Sequence, residues 1–284
     1  MAGARFHIVN VFVEAGPLSG NALAVFEDGR GLSGERMQAI AVQFNLSETT
    51  FVLPSTVATA RVRIFTPALE LPFAGHPTLG TAHVVAGLRD PSAGVTLEMG
   101  AGIIPVEREG DVWTLKSNPP RWRQAAASQE LAAMLGIAAE AVRGPALWVD
   151  TGTEQLIVPL ASVEAVDACR PDPVLLARHG SNERRDGHVY VWAPRSDGTL
   201  AARFFFLKRG ALVEDPGTGS ACANLGGWHL ATGGALPVDW AIRQGEATGR
   251  PCRLRLRVDA ARNIRVSGRV VQVGSGELTV PFEV

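Results

Sequence analysis

Apolar and polar positions alternate from Phe6 to Val13, and after the turn Gly16-Pro17-Leu18-Ser19-Gly20-Asn21 an apolar run returns from Ala22 to Phe26. The two segments read as strands joined by a glycine- and proline-rich turn. Ser33 then precedes Met37, Ile40, Ala41 and Phe44. Their i, i+3, i+4, i+7 spacing predicts a helix with Ser33 as its cap, and Asn45 suits a left-handed helix end. Thr49 to Leu53, Val62 to Phe65 and Val95 to Glu107, the last interrupted by Gly100-Ala101-Gly102, read as strands.

The weakly patterned stretch Ser117-Asn118-Pro119-Pro120-Arg121-Trp122-Arg123 is the best linker. It divides the chain into expected domains 1–118 and 119–284, with the last strand free to return to the first. A short helix follows from Ser128 to Leu135. Strands are then expected over Ala146 to Val149, Gln155 to Leu160, Val189 to Ala193 and Ala202 to Leu207, with a short helix at Val163 to Ala168. Alternation from Arg253 to Val284 predicts a tail that is all β.

The second half repeats the grammar of the first. A shift of 140 positions sets Arg63-Ile64-Phe65 on Arg203-Phe204-Phe205 and Thr78 on Thr218. Each copy leads from an Arg-x-Phe strand to a glycine- and threonine-rich turn that opens a helix: Gly75-His76-Pro77-Thr78 and Asp215-Pro216-Gly217-Thr218-Gly219-Ser220. Duplication explains the match better than chance. Pro77 fits a first helical position, and small residues leave first-turn N–H groups open to an anion. No Gly-Lys-Ser/Thr ending or dinucleotide fingerprint is present, so a carboxylate is the better ligand for these turns, with ordinary glycine-rich caps as the simpler alternative.

Composition narrows the partners. Lys+Arg number 27 against 28 Asp+Glu, a formal net charge of −1, so no overall field draws the chain to nucleic acid or to an anionic membrane. No run approaches the roughly 18 apolar residues of a membrane span, and the N-terminus reads as a strand and not a signal peptide. A soluble, cytoplasmic protein is expected. Cys169, Cys222 and Cys252 form no disulfide or zinc pattern, and none lies in the first half, so a two-thiol racemase cannot be assembled from one cysteine of each half. His7, His76, His83, His179, His188 and His229 show no ligand spacing, and no metal is expected. The six tryptophans read as core.

Glu48 stands between a helix end and an apolar strand. Such a carboxylate can act as a general base, or can be a solvated charge at a strand start. His76 reads either as a site residue or as a helix cap, and Asp215 either as a site residue or as an Asp-Pro turn.

Taken together, Gly16-Pro17-Leu18-Ser19-Gly20-Asn21, Asn45-Leu46-Ser47-Glu48-Thr49-Thr50, Glu70-Leu71-Pro72-Phe73-Ala74-Gly75-His76-Pro77 and Glu214-Asp215-Pro216-Gly217-Thr218-Gly219-Ser220 resemble the phenazine-biosynthesis isomerase (PhzF) family. The resemblance implies an α+β, diaminopimelate epimerase-like fold. Its two similar domains are each a β-barrel-like sheet around a central helix, with the active site in the cleft between them, commonly in a homodimer. It implies a cofactor-independent isomerase in which Glu48 moves a proton within a small cyclic amino carboxylate, trans-2,3-dihydro-3-hydroxyanthranilate in the phenazine enzyme. His76 and Asp215 would then assist, and Ser47, Gly75, Thr218, Gly219 and Ser220 would bind the substrate. Gly217 departs from the alanine common in the family. Two other readings stand beside it: an amino- or hydroxy-acid epimerase that uses Glu48 with Asp215 or His76 as opposed bases, and a non-catalytic carboxylate-binding protein.

Overall fold

Local chemistry sets the first elements. In the computed structural model, which describes residues 4–89, 94–182 and 187–279, Ser33 accepts the N–H of Arg36 and opens helix α1 (Gly34–Phe44). Asn45 closes it in the left-handed conformation at φ 49°. Both are the roles the sequence predicts for them. The apolar face of α1, Met37, Ile40 and Ala41, packs on Phe26, Phe51 and Phe65, with Phe26 and Phe51 stacked at 4.9 Å.

The chain divides into two units, residues 1–116 with 267–284 and residues 117–266. In the first, strands β1 (Ala4–Val11), β2 (Asn21–Phe26), β3 (Glu48–Leu53), β4 (Ala60–Phe65), β6 (Val95–Met99), β7 (Gly102–Glu109) and β8 (Val112–Lys116) pair in that order. β17 (Ile264–Leu278) pairs with both β8 and β1 and closes an eight-stranded barrel. The short β5 (Glu70–Leu71) extends β4 as a hairpin. Helix α2 (Gly75–Arg89) is buried from Gly75 to Ala82 and again over Val84–Ala86. A helix buried on nearly all sides has to be apolar or small on all sides, and α2 is. Gly80 lets it approach the barrel wall, since a Cβ there would lie 2.6 Å from Leu23 and 3.0 Å from Val9 and Val11. Thr81 ties it to Thr50 on β3, hydroxyl to hydroxyl at 2.8 Å.

The second unit repeats this plan. Strands β9 (Arg121–Gln124), β10 (Leu147–Asp150), β11 (Glu154–Pro159), β12 (His188–Pro194), β13 (Leu200–Lys208), β15 (Val238–Gln244) and β16 (Cys252–Val258) pair in sequence. β14 (Ala211–Asp215) folds back on β13 as β5 does on β4. Both units place a parallel pair early, β2 with β3 and β11 with β12, and a second parallel pair after the hairpin, β4 with β6 and β13 with β15. Helix α6 (Gly219–Ala231) is the counterpart of α2, with Gly226 set against Leu256, Val258 and Ile264. Helices α3 (Ser128–Leu135), α4 (Val163–Ala168) and α5 (Pro173–His179) supply the outer core through Leu131, Met134, Val166 and Leu176.

The duplication is real in topology but not in the ungapped register. Phe65 faces Glu70, whereas Phe205 faces Glu214, so the second hairpin is four residues longer. Gly219 therefore corresponds to Gly75 and Ser220 to His76, while Thr78 lies inside α2 and Thr218 stands before α6. Pro77 is the third residue of its helix and not the first. The stretch expected as a linker contains β9, and Trp122 on it is 49% exposed, unlike the core tryptophan it was expected to be; its neighbours on β9 are all exposed and polar. The tail beyond residue 279 lies outside the described residues. No helix among those described is long and apolar enough to cross a membrane.

Candidate active site

Ser47 and Glu48 lie where α1 gives way to β3, with Glu48 the first residue of the strand. Gly75 and His76 are the first two residues of α2 and both are buried. The two elements bring Glu48 Oε2 to 3.3 Å from His76 Nε2, with the side chains 16% and 5% exposed. The distance is that of an ion pair, yet burial lowers the imidazole from 6.5 to about 3, and a backbone hydrogen bond with Ala22 only partly opposes this. The ring is therefore uncharged near neutrality, and the contact is between a carboxyl group and a neutral imidazole. On the other side of the ring Nδ1 lies 3.4 Å from Asn21 Nδ2, so β2 fixes the face that His76 turns to Glu48.

The predicted residues of the second unit gather at the start of α6. Asp215 ends β14, and its Oδ2 accepts the Thr218 hydroxyl at 2.5 Å. Gln244, fully buried at the end of β15, holds the turn from beneath: its Nε2 donates to the Asp215 carbonyl at 2.9 Å and to Thr218 Oγ1 at 3.0 Å, and its Oε1 accepts the Thr218 N–H at 3.3 Å. Gly219 and Ser220 open the helix, and Ser220 Oγ accepts from Gln155 Nε2 at 3.0 Å. First-turn N–H groups have no partner within their own helix, and the dipole of a helix of this length favours an anion at that end.

Sequence reasoning missed Asn21, Gln155, Asn224 and Gln244. The signal was there for Asn224, the single amide in the otherwise small and apolar start of α6, because a polar group in such a segment must find a partner when buried. Cysteine chemistry finds no support in the surroundings of the thiols. All three are buried, and burial pushes Cys169 up to about 12 and Cys222 higher still, so neither is a thiolate near neutral pH.

The family model described as phenazine biosynthesis-like protein matches residues 9–276. The chain is 40% identical over 289 residues to an uncharacterized isomerase of Pasteurella multocida, covering 97% of this chain and 94% of that protein. It is 37% identical over 265 residues to trans-2,3-dihydro-3-hydroxyanthranilate isomerase of Pseudomonas aeruginosa, covering 90% and 91%. Among solved structures, a PhzF-family phenazine biosynthesis protein of Bacillus anthracis has a TM-score of 0.85 at 24% identity, covering 99% of this chain and 100% of its own. A hydroxyproline epimerase of Agrobacterium vitis has a TM-score of 0.65 at 14% identity, covering 97% and 92%. These two structures bear on the fold alone. The chain thus belongs to the PhzF family of phenazine biosynthesis-like proteins and is an isomerase.

Proposed function

We propose that the protein is a cofactor-independent isomerase that moves a proton within a small cyclic amino carboxylate of the trans-2,3-dihydro-3-hydroxyanthranilate type. The observation that carries this reading is the approach of Glu48 Oε2 to 3.3 Å from Nε2 of a buried His76 that burial keeps uncharged. A base that is to accept a proton from carbon must not be pinned as an anion by a neighbouring full charge. A neutral imidazole lies beside the carboxyl group without that charge.

Glu48 takes a proton from one ring carbon while the electron pair enters the conjugated system, and it returns the proton to a second ring carbon as the double bonds shift. One C–H bond breaks and one forms, with no net gain or loss of electrons, so no co-reactant is consumed. Charge that develops on the conjugated carboxylate during transfer is stabilised by preorganised donors. By the motif it shares with the family, the chain assigns Asp215, Thr218, Gly219 and Ser220 to the substrate's polar groups, with Ser47 and Gly75 beside the base. The 37% identity to an enzyme of that name supports the substrate class.

The test is NMR of the purified protein with trans-2,3-dihydro-3-hydroxyanthranilate in deuterated buffer, run beside Glu48→Gln. Isomerisation by the wild type and a loss of about a hundred- to ten-thousand-fold in the variant is the expected result. Full turnover by Glu48→Gln would remove Glu48 as the base. Deuterium entering a stereocentre with inversion, without ring isomerisation, would replace this reading with epimerisation.

A further inference from the structure

A serine hydroxyl can donate or accept, and which of the two Ser220 offers a ligand is set by side chains behind it. Asn224, fully buried on α6, is the starting point. Its Oδ1 accepts from the N–H of Thr151 at 2.9 Å and from Thr151 Oγ1 at 2.7 Å, and its Nδ2 donates to the Thr153 carbonyl at 2.8 Å and to Gln155 Oε1 at 2.8 Å. A backbone N–H can only donate and a carbonyl can only accept, so the backbone fixes which end of the Asn224 amide is oxygen. Asn224 then fixes Gln155, which is 4% exposed: with Oε1 committed to accepting, its Nε2 faces Ser220 Oγ at 3.0 Å. Ser220 is an acceptor on that side. Its own hydrogen is not used in any other hydrogen bond among the described residues, and Ser220 is half-buried at the open end of α6.

We infer that Gln155 and Asn224 are positioning residues that hold Ser220 as a hydrogen-bond donor, and that this polarity makes the site select a carboxylate over the matching carboxamide. The inference rests on the proposed function, in which Ser220 meets the substrate's polar groups. A carboxylate offers an acceptor to every donor it meets, whereas a carboxamide must turn its NH2 toward one of them. A serine free to rotate could accept from that NH2. A serine that already accepts from Gln155 can take that NH2 only on its second lone pair, which turns its own hydrogen away from the ligand and leaves it without an acceptor.

The probes are 3-hydroxyanthranilate, an aromatic analogue with no proton to lose from a saturated ring carbon, and its carboxamide, each titrated calorimetrically. Wild type is expected to bind the acid about ten-fold or more tightly than the amide. Gln155→Glu nearly preserves shape, but at about pH 8 its carboxylate accepts from both Asn224 and Ser220 and takes the serine hydrogen away from the ligand. The preference should fall to the level of Ser220→Ala. Gln155→Met removes the donor without competing for the hydrogen, so its preference should lie between wild type and Ser220→Ala. A packing role would give the reverse order, because glutamate mimics glutamine better than methionine does. With trans-2,3-dihydro-3-hydroxyanthranilate as substrate, the losses should appear in KM before kcat.

Unchanged preference in Gln155→Glu, or a larger loss in Gln155→Met, would overturn the inference and leave the proposed function standing. If Gln155→Glu does not fold, Gln155→Met decides: a value equal to wild type overturns the inference, and an intermediate one supports it. Failure of both probes to bind wild type would sink the proposed function and this inference with it.

Discussion

Arg63 clasps Glu70 across the β4–β5 hairpin through two hydrogen bonds of 2.7 Å, with its guanidinium 5.0 Å over the Phe65 ring. Arg203 repeats the clasp with Glu214 at 3.0 and 2.7 Å, and lies 4.6 Å over Phe205. The surroundings differ. The first pair is 26% and 42% exposed, the second 10% and 15%. Arg203 also donates to the carbonyls of Val166, Asp167 and Cys169 at the end of α4.

The two clasps should therefore differ in worth. Arg203→Ala leaves the poorly exposed Glu214 without its partner, and should cost about 3–5 kcal/mol. Arg63→Ala disrupts a pair that water already screens, and about 1 kcal/mol or less is expected. Urea denaturation of the two variants checks this, and equal losses would show that burial is not what separates them.

His76 predicts an acid limb. Its folded value of about 3 lies below the ordinary 6.5, so between those values the unfolded chain binds a proton that the folded chain does not. The stability from keeping the ring neutral is whole above 6.5 and is lost as pH falls through 6.5 toward 3. The slope from this one group is at most about 1.4 kcal/mol per pH unit. His76→Gln should flatten the curve of unfolding free energy measured between about pH 7 and 4. An unchanged slope would assign the acid sensitivity to other groups.

Elements with a strong period were legible in the chain. Ser33, Asn45 and the spacing of Met37, Ile40 and Ala41 define α1 from the sequence, and the helix at Ser128–Leu135 has the bounds the sequence predicts. The strands β5 and β14 were not, because a two-residue strand carries no alternation and β14 is only partly buried. Helix α5 was missed although Asp172 caps it and Pro173 opens it, since its apolar residues Val174, Leu175 and Leu176 are consecutive and show no helical spacing. Of the candidate residues, Glu48, His76 and Asp215 are picked out by the family motifs in which they stand, since each alone also fits a solvated charge, a helix cap or a turn. Gln155 and Gln244 are not, because a glutamine in a strand looks the same in sequence whether it faces water or supports a turn from within.

Cys222 separates carboxylate chemistry from thiol chemistry. It sits in the first turn of α6, where the helix dipole favours a thiolate, but it is fully buried and burial pushes its thiol up. Desolvation wins over the dipole. Cys222→Ala should leave the rate of isomerisation within about two-fold of wild type, the change expected of a residue that packs and does not react. A thiol reagent should modify the native protein slowly and all three cysteines once it is unfolded in urea. Loss of turnover in a folded Cys222→Ala protein would reopen the thiol mechanism.

Gln244 and Gly245 together hold the Asp215–Thr218 turn. Because Gln244 Nε2 donates to Thr218 Oγ1, the threonine hydrogen is directed to Asp215, which orients that carboxylate. Gly245 has φ +86°, and a Cβ on it would fall 2.5 Å from the Pro216 carbonyl oxygen, so its backbone lies directly against the same turn. Gln244→Met keeps the volume but removes three hydrogen bonds and leaves the Thr218 N–H without the Gln244 oxygen, at a cost of about 1–3 kcal/mol if that group stays buried. Gly245→Ala pushes the turn from the same side and strains a left-handed position. If both act by displacing Asp215, each should lower kcat/KM, and the double variant should lose less than the product of the two single losses. Multiplicative losses would mean that the two residues support the turn independently, and that the orientation of Asp215 is set elsewhere.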